Sequence, residues 1–415
     1  MHQPARSIIA IAVVAILAVW LIALMRARRP DAQIGGAAGL QASSAIATPP
    51  PRIGATATAP PAEADAQSEQ TIDFCGVGTV HLPADDPFAP GRYLAQLTAP
   101  VWARWKQAIT LSPDYRTRAA ALYLASIGAT QDEATPAPAQ ALDALVALAT
   151  DSRDPAVYAM ALQSCTISAR DRSAPGCTQV SAADWAAIDT DNAVPWLQLA
   201  REAAAANDPT AQAAAVEQAT QAHRVDSYAG SVMAFTQPEI PLEATPLQRD
   251  YLISALNGVE GAWWQPQYRA ALTYCSGTAI ADPLVSRRCE ALASLLEKQG
   301  STLLDAGVAA DIGARLGWST QRVDALRLEV QAGHGIYGQD TGAQWSCDNL
   351  RTTAGLMTER ARLGDRQLAR ELIESSGFGA GDWRERWHTR MNKLLDNSAA
   401  PDDAATANPG HPAPR

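Results

Sequence analysis

Few side chains in this chain have the type and spacing that chemistry needs. The most suggestive is His334, set between glycines in Gly333-His334-Gly335-Ile336-Tyr337 with Asp340 close by in sequence. A histidine that the backbone approaches closely in a loop can serve as a proton acceptor or a ligand. The competing reading is a turn with a solvated imidazole. The adjacent pair Trp263-Trp264 precedes Gln265-Pro266. Neighbouring residues of one helix cannot both face a core, so one indole is free to line a groove and stack on a sugar or peptide. The alternative is a tryptophan wedged between helical hairpins. These three residues are the possible ligand contacts.

The recognised catalytic signatures are missing. The chain contains no GxSxG, HExxH, GxxxxGK[ST] or GxGxxG motif opening a helix. No second histidine or cysteine lies at ligand spacing from His334, so neither metal nor cofactor is expected. A net charge of −10 argues against a nucleic-acid partner, because phosphate binding needs clustered Lys and Arg. The basic residues are nearly all arginine, with lysine only at Lys106, Lys298 and Lys393, a bias that reads as a GC-rich genome.

The six cysteines carry a different chemistry. Ala161-Leu-Gln-Ser-Cys165 and Ala271-Leu-Thr-Tyr-Cys275 share one form, and each is followed by a loop with Pro and Ser and a further cysteine, Cys177 or Cys289. This doubled spacing predicts two helical hairpins, each closed across its loop by a disulfide. Closing about a dozen residues stabilises a chain by about 3 kcal/mol in the loop-entropy view. Cys75 and Cys347 are left to pair by elimination. Buried free thiols are the rival reading. No CxxC occurs, so zinc and redox sites are disfavoured.

Around these residues the chain divides plainly. After a tail of residues 1–7, Ile8 to Met25 form 18 apolar positions without a charge. At about 1.5 Å per residue they span roughly 27 Å, matching a bilayer core. The rival is a cleaved signal peptide, but Arg26, Arg28 and Arg29 follow where a cleavage site needs small residues. A membrane anchor over residues 8–25 is the expectation. Residues 26–70 are rich in Ala, Pro, Gly, Thr and Ser and are expected to be a disordered linker spanning about 35 to 40 Å. Residues 398–415 read the same way. The three arginines after the anchor favour a cytoplasmic C-terminal part. Six cysteines, all beyond the anchor, favour an oxidising compartment. The cysteines are the stronger signal, so the expected location is a bacterial inner membrane with the soluble domain in the periplasm.

Residues 71–397 carry helical signals almost throughout, apart from an extended segment at Thr71 to Pro83. Helix starts are expected at Ser112-Pro113-Asp114, Asp154-Pro155, Asp208-Pro209 and Asp282-Pro283, each a capping residue beside a proline. The fold class is all-α, an array of antiparallel helical hairpins with alanine-rich contacts. Trp383, Trp387, Met391 and Leu395 recur along one face of a basic helix near the C-terminus. Such a helix either caps the array or lies on an anionic membrane.

One stretch has a family likeness. From Ala193 to Asp226, Trp196, Leu199 and Ala200 fall where a 34-residue helical repeat wants Trp, Leu and a small residue. Asn207-Asp208-Pro209 supplies the turn, and Ala213, Val216 and Thr220 the inward face of the second helix. This unit resembles a tetratricopeptide repeat, although the usual proline at its end is absent and no second unit follows in register. The resemblance implies an exposed surface that binds a protein or peptide. A non-enzymatic adaptor is therefore the first expectation. A cell-envelope enzyme acting on peptidoglycan or polysaccharide, with Trp263, Trp264 and His334 near its site, is the alternative.

Overall fold

The computed structural model describes residues 69–84, 86, 89–129, 137–168, 175–261, 263, 268–337 and 346–398. The expected anchor at 8–25, nearly all of the linker at 26–70, Trp264, Asp340 and all but the start of the tail at 398–415 lie outside them. Among the described residues no helix is long and apolar enough to cross a membrane. The chain separates into two units, Met1–Ala89 and Pro90–Arg415.

In the first unit the expected extended segment is a hairpin. Strands β1 (Glu69–Asp73) and β2 (Thr79–Pro83) pair antiparallel, with Ile72 opposite Val80. The residues between them explain the reversal. Cys75, Gly76 and Gly78 all take positive φ, at 54°, 77° and 126°. Two of the three are glycines, which adopt this geometry without steric cost. Phe74 N–H donates to Gly78 O at 2.8 Å and closes the loop.

The second unit is all helical, and local chemistry explains most of its helix starts. Helix α1 spans Ala89–Leu111 and α2 spans Tyr115–Ser126. The cap of α2 is Asp114, whose carboxylate accepts from Arg116 N and Thr117 N. Ser112, the serine expected to cap this helix, instead accepts from Asp114 N and donates to Glu239. Helix α3 (Pro138–Ser152) is followed by α4 (Pro155–Ser168), begun by Asp154 as expected: Oδ1 accepts from Ala156 N at 2.9 Å. Then come α5 (Ala182–Ile188), α6 (Ala193–Ala205) and α7 (Pro209–Gln221), with Asn192 and Asp208 as caps of the last two. Helices α8 (Ser231–Thr236), α9 (Pro246–Gly261) and α10 (Arg269–Tyr274) lead to α11 (Pro283–Gln299), capped by Asp282. The chain continues through α12 (Leu303–Arg315), α13 (Thr320–Tyr337), α14 (Cys347–Leu363), α15 (Asp365–Ser376) and α16 (Ala380–Ser398).

Consecutive helices pack on each other, as in α2–α3, α6–α7, α11–α12 and α12–α13, an arrangement compatible with a helical repeat. Two further contacts join distant stretches: α8 against α2, and α9 against α14. Alanines do line the closest approaches, and Ala119, Ala120, Ala193, Ala200 and Ala219 are wholly buried. The core is nevertheless more aromatic than expected. Its largest fully buried side chains include Trp105, Trp185, Tyr123 and Tyr158. Trp105 is accommodated because its indole N–H donates to Thr236 O at 2.9 Å, joining α1 to the end of α8.

The unit at Ala193 to Asp226 forms the α6–α7 hairpin, but its buried face differs from the expected one. Val194, Leu197 and Ala200 face the core, whereas Trp196 and Leu199 are half-buried. On α7 the buried residues are Ala215, Val216 and Ala219, with Ala213 and Thr220 at the margin. The Trp196 indole donates to Thr190 O at 3.2 Å, so the ring lies along the preceding turn.

Candidate functional site

The residues singled out for chemistry occupy separate places. Trp263 is only 3% exposed. Its indole N–H donates to Ser227 O at 2.9 Å, and its ring centre lies 5.3 Å from that of Tyr123. With Trp185, Gln163, Gln198 and Ser227 it lines an interior crevice with room for about one water molecule. No face of this indole is open to a sugar.

His334 is not in a loop. It lies in α13, half-buried, with its ring centre 4.6 Å from that of Trp387 on α16. The glycine before it serves packing: a Cβ on Gly333 would come within 2.2 Å of Leu303 Cδ1 on α12. On α16, Trp383 is buried and Arg384 and Arg386 are exposed, while the helix packs on α13.

The cysteines form Cys165–Cys177 and Cys275–Cys289, with Cα separations of 5.6 and 5.7 Å. Cys75 and Cys347 are disulfide-bonded as well, so no cysteine is free. Three disulfides indicate an oxidising, extracytoplasmic environment.

Two polar clusters recruit partners 27 to 39 residues away, which the chain's spacing does not reveal. At the mouth of the α6–α7 unit, Asn192 is wholly buried and uses its whole amide. Its Oδ1 accepts from Val194 N and Asp226 N, and its Nδ2 donates to Asp189 and to Asp226 O. Arg224 bonds Asp189 and the Tyr228 hydroxyl, which donates to Asp189 at 2.9 Å. Burial pushes the Tyr228 hydroxyl far up, so it stays protonated and holds this role. The second cluster is Glu260, 2% exposed, which accepts from Gly230 N at 2.7 Å and Met233 N at 2.8 Å. It satisfies the start of α8 from another helix. In both clusters the buried group at the centre, the Asn192 amide or the Glu260 carboxylate, is engaged by backbone groups.

The larger opening is a surface crevice of about 580 Å³ where the end of α6, the α6–α7 turn, α7 and α10 meet. Gln212 sets one wall by donating from Nε2 to Ala270 O at 3.0 Å, which fastens α7 to α10. Two arginines, Arg201 and Arg269, and one carboxylate, Asp208, line it. Asp208 accepts from Ala211 N at 2.9 Å as the cap of α7. The size suits a short segment of chain or a drug-sized molecule. Among the described residues no group of three or more His, Cys, Asp or Glu could hold a metal ion.

No protein family, curated protein or solved structure matches this chain.

Proposed function

We propose that this chain is a membrane-anchored, periplasm-facing helical-repeat adaptor of a bacterial inner membrane that binds a protein or peptide partner. The observation that carries the reading is the open crevice formed where the α6–α7 hairpin meets α10. It is walled by helix ends and polar side chains, as suits an extended segment of another protein. Anchorage through residues 8–25 rests on their uninterrupted apolar run, and the periplasmic side rests on the disulfides. The enzyme alternative asks for a deep pocket where His334 and a carboxylate converge, with Trp263 and Trp264 near it. His334 packs on Trp387 and Trp263 on Tyr123 and Ser227.

Topology is decided by fusing alkaline phosphatase and, separately, a cytoplasm-active fluorescent protein to the C-terminus. Active phosphatase and dark fluorescent fusions are expected, and the reverse pattern overturns the periplasmic side. Partner binding is decided by crosslinking in whole cells followed by mass spectrometry, with capture expected to survive His334→Ala. A purified chain that degrades peptidoglycan, loses that activity in His334→Ala and captures no partner refutes the adaptor.

A further inference from the structure

The crevice beside α6, α7 and α10 has a charge pattern that points to the chemistry of its occupant. Most arginines at the helix junctions are spoken for. Arg116 pairs with Asp154, Arg224 with Asp189, Arg288 with Glu217 and Arg322 with Glu297. Arg201 and Arg269 differ, since neither has an ion-pair or hydrogen-bond partner among the described residues. Arg201 is half-buried and its Nε is fully shielded from solvent with no acceptor in reach. That donor is unsatisfied within the described residues, and the guanidinium as a whole, on the crevice lining, has no carboxylate partner among them, which an incoming oxyanion can supply.

The nearby charges do not cancel this excess. Asp208 is the one carboxylate on the lining, and it is engaged as the cap of α7. Glu202, next to Arg201, accepts from Gln198 Nε2, and Glu217 on α7 is held by Arg288 of α11. Arg315 is turned to the carbonyls of Leu272 and Cys275. With two arginines against one carboxylate, the lining carries a net positive charge on a chain whose net charge is −10.

We infer that this crevice binds an acidic peptide segment, with a carboxylate held between Arg201 and Arg269. This deepens the adaptor reading and rests on it for the source of the peptide. Size separates a peptide from a lone anion. About 580 Å³ is far more than an oxyanion fills, and alanine methyls with the Asn207 and Thr273 side chains offer contacts along a chain. Two arginines also fall short of the extended basic path a nucleic acid needs. Planar guanidinium groups suit carboxylates because they present paired N–H donors.

The test uses the full chain in detergent and a fluorescein-labelled Gly-Ala-Ala-Glu-Glu peptide, read by anisotropy. A Gly-Ala-Ala-Gln-Gln amide is the neutral control, and inorganic phosphate is the competitor. The acidic peptide is expected to bind, to weaken as salt rises, and to lose about tenfold in affinity in Arg269→Gln. Arg269 is exposed, so that variant keeps the fold. Arg201→Lys, which retains the charge on a half-buried side chain, is expected to lose less than Arg201→Gln. Equal binding of the neutral peptide, no effect of Arg269→Gln, or displacement by equimolar phosphate overturns the inference. The wider reading fails separately. If cells capture a partner equally with wild type and Arg269→Gln, the adaptor stands and this site does not. If no partner is captured but the peptide result holds, the site stands and the adaptor does not.

Discussion

Arg366, in the first turn of α15, donates from Nε to Glu329 Oε2 of α13 at 2.7 Å. The same guanidinium takes the carbonyls of Leu296 and Gly300 through Nη1 and of Glu297 through Nη2, at 2.8, 3.0 and 3.0 Å. One side chain, 2% exposed, thus closes the end of α11 and joins it to α13 and α15. The carbonyls at a helix C-terminus have no partners within the helix, and a buried cation there satisfies them.

Arg366→Ala is expected to destabilise the domain by about 3 kcal/mol, because it strands buried carbonyls and half of a buried ion pair. Glu329 keeps Arg370, at 2.8 Å, which limits the loss. Arg366→Lys should recover less than half, since an ammonium cannot fork to four acceptors. Urea unfolding followed by circular dichroism reads both. A lysine variant as stable as wild type contradicts this role for the guanidinium.

Gly333→Ala is expected to cost about 1–3 kcal/mol by overpacking α13 against Leu303. Adding Leu303→Ala to it should return part of the loss, because the two changes share one space. Thermal midpoints of the four proteins in the cycle test this, and strict additivity would mean the helices part freely.

Burial raises the Glu260 carboxyl above its ordinary value, against the pull of the Met233 and Gly230 N–H groups. A carboxyl raised in the folded state adds stability that is fully present below the unfolded pKa. That stability is lost as pH rises through the folded pKa. The advantage of wild type over Glu260→Gln should therefore be larger near about pH 4.5 than near about pH 8. Unfolding curves at both pH values measure it, and a gap that widens with rising pH is the opposite result.

Cys275 and Cys289 are wholly buried, whereas Cys177 is half-buried beside Cys165. Under native conditions a thiol reductant should open Cys165–Cys177 first, as mapped by alkylation and mass spectrometry. Replacing either pair with serines should cost about 3 kcal/mol. Simultaneous opening of both bonds would show that exposure does not govern their reactivity.

What the chain discloses on its face is what neighbours in sequence decide. Asp154, Asp208 and Asp282 start helices because the carboxylate reaches N–H groups two or three residues on, so the pattern is local. The two stapled loops were legible for the same reason, with separations of 12 and 14. Partners from elsewhere decide the rest. Gly333-His334-Gly335 has the composition of a helix breaker, yet contact with α12 and α16 makes it helix. Asp189 meets Arg224 across 35 residues and Glu260 meets Gly230 across 30, distances at which spacing carries no signal. Arg201 and Arg269 reach one crevice only because α10 packs against α6 and α7.

The pairing of the cysteines also bears on how the chain is made. In order of emergence Cys75 comes first and Cys165 second, yet Cys165 belongs with Cys177. An oxidase that joins thiols as they arrive would link Cys75 to Cys165, then Cys177 to Cys275, and every later bond would be misplaced. Correct maturation requires Cys165 to stay unpaired with Cys75 until Cys177 has emerged, or an isomerase to exchange the early bond. Cells lacking disulfide isomerase should then accumulate mispaired, protease-sensitive chains even where oxidation itself is intact.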